Sequence, residues 1–144
     1  HEGALSNVVL NINLDMIGCI MGKFIACATA EEKLVNYIEY FAAEMGHEIK
    51  VSQDVYSSDS TPFADRGIPA ISFARTSPNN TATIHNSYDT MKLMNGAQMA
   101  EDIDFHIAFT IRMANAKLFP VKREMPDNMK EKLDTYLFRK RPEK

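Results

Sequence analysis

Several absences narrow the possibilities first. Cysteine is scarce: Cys19 and Cys27 are two in 144 residues, too few for a disulfide-built scaffold, which leaves one bridge between them or, better suited to this composition, two free buried thiols. No apolar run approaches the roughly 20 residues of a membrane helix, so no membrane partner is expected. An excess of basic charge is also missing; the net charge of −3 argues against a nucleic-acid binder, which usually presents a basic face. There is no glycine-rich phosphate loop and no Gly-x-Ser-x-Gly elbow. The chain opens on His1 rather than methionine and shows no signal peptide, so it is expected to be processed or to be a piece of something longer, and its compartment is not legible from this end. What is present is ordinary for a globular domain: 45% hydrophobic and 24% charged residues, which excludes disordered and collagen-like classes.

Charge is unevenly spread. Residues 1–116 hold 7 Lys and Arg against 14 Asp and Glu, whereas residues 117–144 hold 9 against 5. Either the basic tail is a solvated C-terminal helix with a frayed end, or it is drawn to the acidic body.

Strand and helix signals alternate along the chain. Val8 to Leu14 reads as a mostly buried strand ending at Asp15, and Lys23 to Ala28 as a second. Thr29-Ala30-Glu31-Glu32 has capping-box spacing and predicts a helix with Leu34, Ile38, Phe41 and Met45 inward, stopped by Gly46. Glu48 to Val55 predicts a third strand, and Ile68 to Phe73 a fourth with Pro69 near its start. Arg75 to Asp89 is a long polar loop, a length more often functional than idle. A helix over about 96–116 is expected to bury Met99, Ile103, Ile107 and Ile111, and a last one, capped by Asp127, to bury Met129, Leu133 and Leu137. Such interleaving predicts an α/β layered sheet, whose sites gather at the carboxyl ends of strands; Asp15, Asp59 and the loop after Phe73 are expected there.

A few residues can carry chemistry. Asp15, at a strand end before Met16-Ile17-Gly18, suits a metal ligand or general base, or equally a turn aspartate. His85 can bind zinc as neutral imidazole, with Asp89 four residues on as its orienting partner, or can be an exposed loop histidine. The segment from Tyr56 through Ser58, Asp59, Ser60 and Thr61 can hold substrate polar groups or orient a metal ligand; Asp59, Ser60 or Thr61 can equally cap a short helix that starts at Pro62. His47 reads as a surface residue and His106 as a structural one, and neither cysteine has a neighbour that would activate a thiolate. Asn79-Asn80-Thr81 fits an N-glycosylation sequon, relevant only in a secretory pathway.

Three of these segments together resemble the di-zinc aminopeptidases of peptidase family M28. Asn11-Ile12-Asn13-Leu14-Asp15-Met16-Ile17-Gly18 is similar to their Asn-Leu-Asp-Met-x-Gly segment. Ser58-Asp59-Ser60-Thr61-Pro62-Phe63, with Gly67-Ile68-Pro69-Ala70, resembles their Ser-Asp-x-x-Pro-Phe and Gly-Ile-Pro-Ala segments, and Ile84 to Thr90 their His-x-x-x-Asp-Thr segment. Order and spacing agree across roughly Val8 to Ala114.

The resemblance implies a three-layer α/β/α sandwich with a mixed, mostly parallel sheet, here a partial domain. Residues 1–116 would be the C-terminal half of the catalytic domain and 117–144 a basic helical extension of it. It further implies two zinc ions that activate a bridging water for removal of N-terminal residues, and so peptide partners with a free N-terminus. Carried over by position, Asp15 is a ligand of one zinc and His85 of the other, with Asp59, Asp89, Tyr56 and Ser58 supporting the site. The family's earlier motifs, a His-x-Asp pair and a Glu-Glu pair whose first glutamate is the general base, are absent; Glu31-Glu32 follows Asp15 rather than preceding it, and Ser60 stands where many members have histidine. The base and the remaining ligands are therefore expected upstream. The chain alone is expected to bind zinc weakly and to hydrolyse nothing, and an exposed sheet edge left by missing strands invites a homodimer. Other readings are a non-catalytic binding or dimerisation module of the same architecture and a glutaminyl cyclase-like acyltransferase with one zinc. Many relatives are exported, which favours an extracellular site over the cytoplasm.

Overall fold

A computed structural model describes residues 2–20, 22–76 and 85–139, and among these described residues four strands and five α-helices follow one another. A short α1 (Glu2–Leu5) leads to β1 (Asn11–Asp15), β2 (Lys23–Thr29), α2 (Glu32–Glu44), β3 (Lys50–Gln53), α3 (Thr61–Asp65), β4 (Ala70–Thr76), α4 (Gly96–Ala114) and α5 (Asp127–Tyr136). The sequon Asn79-Asn80-Thr81 lies outside the described residues. The strands form one sheet in the order β1-β4-β2-β3, with β1 parallel to β4, β2 parallel to β3, and β2 antiparallel to β4. This is the mixed, mostly parallel sheet expected.

Strand alternation gives the sheet two unlike faces. Ile12, Ile71, Phe73, Phe24, Ala26, Ala28 and Val51 share one face and pack under α2 and α4. Leu34, Ile38 and Phe41 of α2 are buried there as the helical spacing predicts. The centre is aromatic: Phe24 meets Phe105 edge-on at 5.1 Å, and Phe73 meets Phe109 at 5.2 Å. Such pairs add about 0.5–1.5 kcal/mol beyond the area they bury. The opposite face is polar, with Asn13, Ser72, Cys27 and Ser52 in one register row. Helices α3 and α5 cover part of it: Ala64 of α3, Met129 and Leu133 of α5, and Met125 just before α5 cluster with Ala70 of β4. Both cysteines are free, Cys27 buried and Cys19 half-buried.

Four local expectations are corrected. The capping box does not form: Thr29 is committed to β2 by pairing with Ala70, and its hydroxyl donates to the Asp54 carbonyl at 2.7 Å. Glu31 becomes the N-cap without a side-chain bond to its helix, and its carboxylate accepts the Lys122 N–H instead. Met45 falls at the helix C-cap and is partly exposed, because Gly46 (φ +77°) ends the helix one residue later. In α5, Pro126 rather than Asp127 occupies the cap; Asp127 pairs with Lys130, while Met129 and Leu133 point inward as expected. The largest correction concerns α4. Its buried side is Asp102, Phe105, His106, Phe109 and Met113, whereas Ile103, Ile107 and Ile111 are 41%, 53% and 57% exposed. Two phenylalanines bury more area than the isoleucines, and Arg75 provides the partner that makes Asp102 buriable.

The basic C-terminal segment touches the acidic body at several points. Arg139 pairs with Asp65 through two hydrogen bonds, and Lys132 pairs with Asp54 at 3.1 Å. Solvent screens exposed pairs of this type, so they contribute little. The buried Met129 and Leu133 hold α5 in place more firmly.

Candidate metal-ligand site

Asp15 ends β1 on the polar face, half-buried, two residues after Asn13 on the same side of the strand. The Asn13 amide donates to Asp15 Oδ2 at 3.0 Å, which fixes one carboxylate oxygen. The chain then turns sharply. Met16 (φ +49°) and Gly18 (φ +73°) both sit in the left-handed region, where glycine is at home and a side chain is strained. At Gly18 a Cβ would also come within 2.6 Å of the Met99 side chain, so the position demands glycine twice over.

The turn is anchored beneath. Gly18 N–H donates to Asp102 Oδ2 at 2.7 Å, and Arg75 holds the same carboxylate through Nη2 at 2.6 Å and Nε at 2.9 Å. Asp102 is 1% exposed. Burial alone would raise its carboxyl, but the hydrogen bonds from Arg75 and Gly18 and the guanidinium charge outweigh burial and hold it below the usual carboxylate range.

The loop after β3 approaches Asp15 by an indirect route. Since β3 runs against β1, its carboxyl end lies at the end of the sheet opposite Asp15, not beside it: Gln53 is level with Ala28, Ile71 and Ile12. This corrects the expectation that Asp15 and Asp59 share one set of strand ends. The loop instead returns across the polar face and is pinned by a triangle of hydroxyls. Ser58 lies 2.6 Å from Ser72 and 2.7 Å from Ser60, and Ser60 and Ser72 are 2.9 Å apart. Ser72 is in register with Asn13, so the triangle sits two residues from Asp15 along the face. Burial, and then the negative charge of Asp15, push the Tyr56 phenol upward. Of the expected supporting residues, Ser58 is held by Ser72 on the polar face that also carries Asp15. Asp59 is exposed, and the cap of α3 is Ser60, whose hydroxyl is spent on the triangle rather than on the helix.

His85 is exposed, with φ +64°, at the start of a turn in which Asn86 accepts the Tyr88 N–H on its side chain and the Asp89 N–H on its carbonyl. Asp89 is exposed as well. Among the described residues no three His, Cys, Asp or Glu side chains converge into a metal-binding group.

Sequence reasoning missed Asp102 and Arg75 and misplaced His47, which is not a surface residue: its side chain is 14% exposed and its ring meets Phe24 and Phe105 edge-on. The available signal was Asp102, Phe105, His106 and Phe109 at helical spacing, a stripe of two phenylalanines and two polar residues. His106 is buried as a structural histidine, Nδ1 donating to the Asp102 carbonyl and Nε2 without a partner among the described residues. Burial first, and the Arg75 and His47 charges after it, push its imidazole below the ordinary value against the opposing pull of Asp102. The unfolded chain therefore takes up this proton first. His106 contributes its full stability above about pH 6.5 and loses it as pH falls from there toward the depressed folded value. Urea midpoints measured between about pH 5 and 7.5 are expected to decline below pH 6.5, and His106→Phe is expected to flatten that decline; an unchanged slope would assign it to other groups.

Comparison with known proteins follows the same lines. The model of peptidase family M28 matches residues 1–109. The fold is similar to that of BSAP, a zinc aminopeptidase from Bacillus subtilis, at a TM-score of 0.61 and 19% sequence identity over 88% of this chain. The match covers 34% of that aminopeptidase, so the chain spans about a third of its length. No curated protein matches.

Proposed function

This chain belongs to peptidase family M28, and on that premise we propose that it is the part of a zinc-dependent aminopeptidase that brings Asp15 and His85 to the metals. The observation that carries this reading is the placement of Asp15: a carboxylate at a strand end, one oxygen held by Asn13, on a polar face shared with the Ser58–Ser72 pair. A carboxylate and an imidazole are donor types that suit zinc. Their number does not suffice, since a catalytic zinc usually takes three protein ligands. The remaining ligands and the general-base glutamate then belong to a segment N-terminal to His1 in the parent protein. Strand β1 lies at the edge of this sheet, where further strands of the domain would pair.

When bound, the zinc pair supplies Lewis-acid polarisation and a water of lowered pKa. This chain's share is to hold and orient. Asp15 presents a fixed carboxylate, Asn13 sets its rotation, and the Ser58–Ser60–Ser72 triangle keeps the Tyr56 loop against that face. The substrate class is a peptide with a free N-terminus.

Protein containing the complete domain is expected to release the leaving group from an aminoacyl anilide, while the 144-residue chain alone releases none. Cyclisation of an N-terminal glutamine peptide without anilide hydrolysis would transfer the assignment to the acyltransferase reading.

A further inference from the structure

We propose that the exposed isoleucine side of α4 is the seat of a helix from the rest of the peptidase domain, packed beside α4 and carried by a strand that pairs with β1; the proposal rests on the reading above that this chain is part of a longer domain. Ile103, Ile107 and Ile111 recur every four residues and form one ridge along α4, although they are 41%, 53% and 57% exposed. A helix side made for water carries polar residues instead. The direction of the ridge follows from what α4 touches on its other flank. Arg112 pairs with Glu44 at the end of α2, and Glu101 lies 3.7 Å from His47 just beyond it. At about 100° per residue, Glu101 and Arg112 stand nearly on one line, with Ile103 and Ile107 about 200° and 240° round from Glu101. These isoleucines therefore face away from α2. Helix α2 joins β2 to β3 and packs on both, whereas α4 covers β4, where Phe105 and Phe109 meet Phe73 edge-on. In the strand order β1-β4-β2-β3, away from α2 means toward β1.

Strand β1 supplies the floor of this seat. Leu14 alternates with Asn13 and Asp15, so it shares with Ile12 the face that lies under the helices. Its register partner Phe73 is fully buried, yet Leu14 is 43% exposed, so the cover given by α4 stops short of the β1 edge. Spacing identifies what completes it. Strands of a sheet lie about 4.8 Å apart and packed helices about 8–10 Å apart, so each helix spans about two strands. A helix beside α4 then lies over β1 and over one strand beyond it, and the sheet has that place open because β1 is at its edge. The fold has chain enough for both: the match covers only 34% of the similar aminopeptidase. An α/β domain closes the apolar face of its sheet with a layer of such helices. The occupant is accordingly an amphipathic helix that turns an aliphatic stripe toward Ile103, Ile107 and Leu14.

The test is maleimide labelling of protein that carries the complete domain. The mass of each labelled peptide identifies the position, so Cys19 and Cys27 do not interfere. Ile107→Cys is expected to react at position 107 at least about tenfold more slowly than Glu39→Cys reacts at position 39, on the exposed side of α2. In the 144-residue chain the two positions are expected to react at similar rates. Ile107→Asp is expected to lower the urea midpoint of the complete protein by about 1 M or more, and to leave that of the 144-residue chain nearly unchanged. If Ile107→Asp keeps the complete protein from folding, the labelling comparison decides, since it uses a milder substitution. Equal labelling rates at the two positions of the complete protein would overturn the proposal. So would slow labelling at position 107 in the 144-residue chain with a doubled mass in sedimentation, which would assign the face to a second copy. Aminoacyl anilide hydrolysis by the same preparation is read separately. Activity with position 107 open to the reagent sinks this proposal alone, and a protected position 107 without activity sinks the aminopeptidase reading alone.

Discussion

Asp15→Ala, in protein that carries the complete peptidase domain, is expected to lower kcat/KM for an aminoacyl anilide by at least about a hundredfold, and His85→Ala to do the same. The floor follows from a comparison. Groups that merely orient metal ligands cost about ten- to a hundredfold in affinity or activity when removed, so a ligand itself costs no less. Asn13 offers the graded control. Its amide donates to Asp15 Oδ2 at 3.0 Å without being a candidate ligand, and Asn13→Ala is expected to lose about tenfold in zinc affinity. The two ligand variants should each also purify with less zinc. Both alanine variants retaining full activity and metal would remove Asp15 and His85 from the site.

The second large effect is on folding. Phe105→Ala is expected to destabilise the chain by about 3–5 kcal/mol, from the lost burial and the cavity left behind. Phe105 is fully buried and meets Phe24, Phe41 and Phe73 edge-on, at 5.1, 5.3 and 5.7 Å. Against the stability of about 5–15 kcal/mol usual for a domain, that is a large fraction. Ile107→Ala, two residues along the same helix and on its other side, 53% exposed, is expected to cost under about 1 kcal/mol. Urea unfolding of the two variants separates the buried aromatic side of α4 from its isoleucine side. A larger loss from Ile107→Ala than from Phe105→Ala would mean that α4 is rotated from the orientation described.

That rotation is also where the sequence misled most. Helical periodicity along α4 supports two apolar readings, and counting aliphatic residues chose Met99, Ile103, Ile107 and Ile111. What decides between them lies elsewhere in the chain: Arg75, 27 residues before Asp102, neutralises the cost of burying that carboxylate. No local pattern carries such information. The strands were legible because β-branched and apolar runs are interrupted by turn residues, and α2 because its stripe contains no competing polar member. The capping box failed for a similar reason to α4, since the pairing of Thr29 with Ala70 in the sheet outweighs local capping. For the site, Asp15 at a strand end was readable from the run before it. Which strand runs against β1 was not, so the route of the Tyr56 loop back across the polar face became visible only through Ser58 and Ser72, fourteen residues apart and 2.6 Å from each other.

The reading frame upstream of the His1 codon tests the central claim most directly. If this chain supplies two ligands to a zinc site completed by the rest of an M28 domain, the frame continues upstream and encodes a His-x-Asp pair followed by a Glu-Glu pair. A frame that lacks those residues would contradict the account: Asp15 and His85 would then have no partners, and the chain would be a peptidase-like binding module without catalysis.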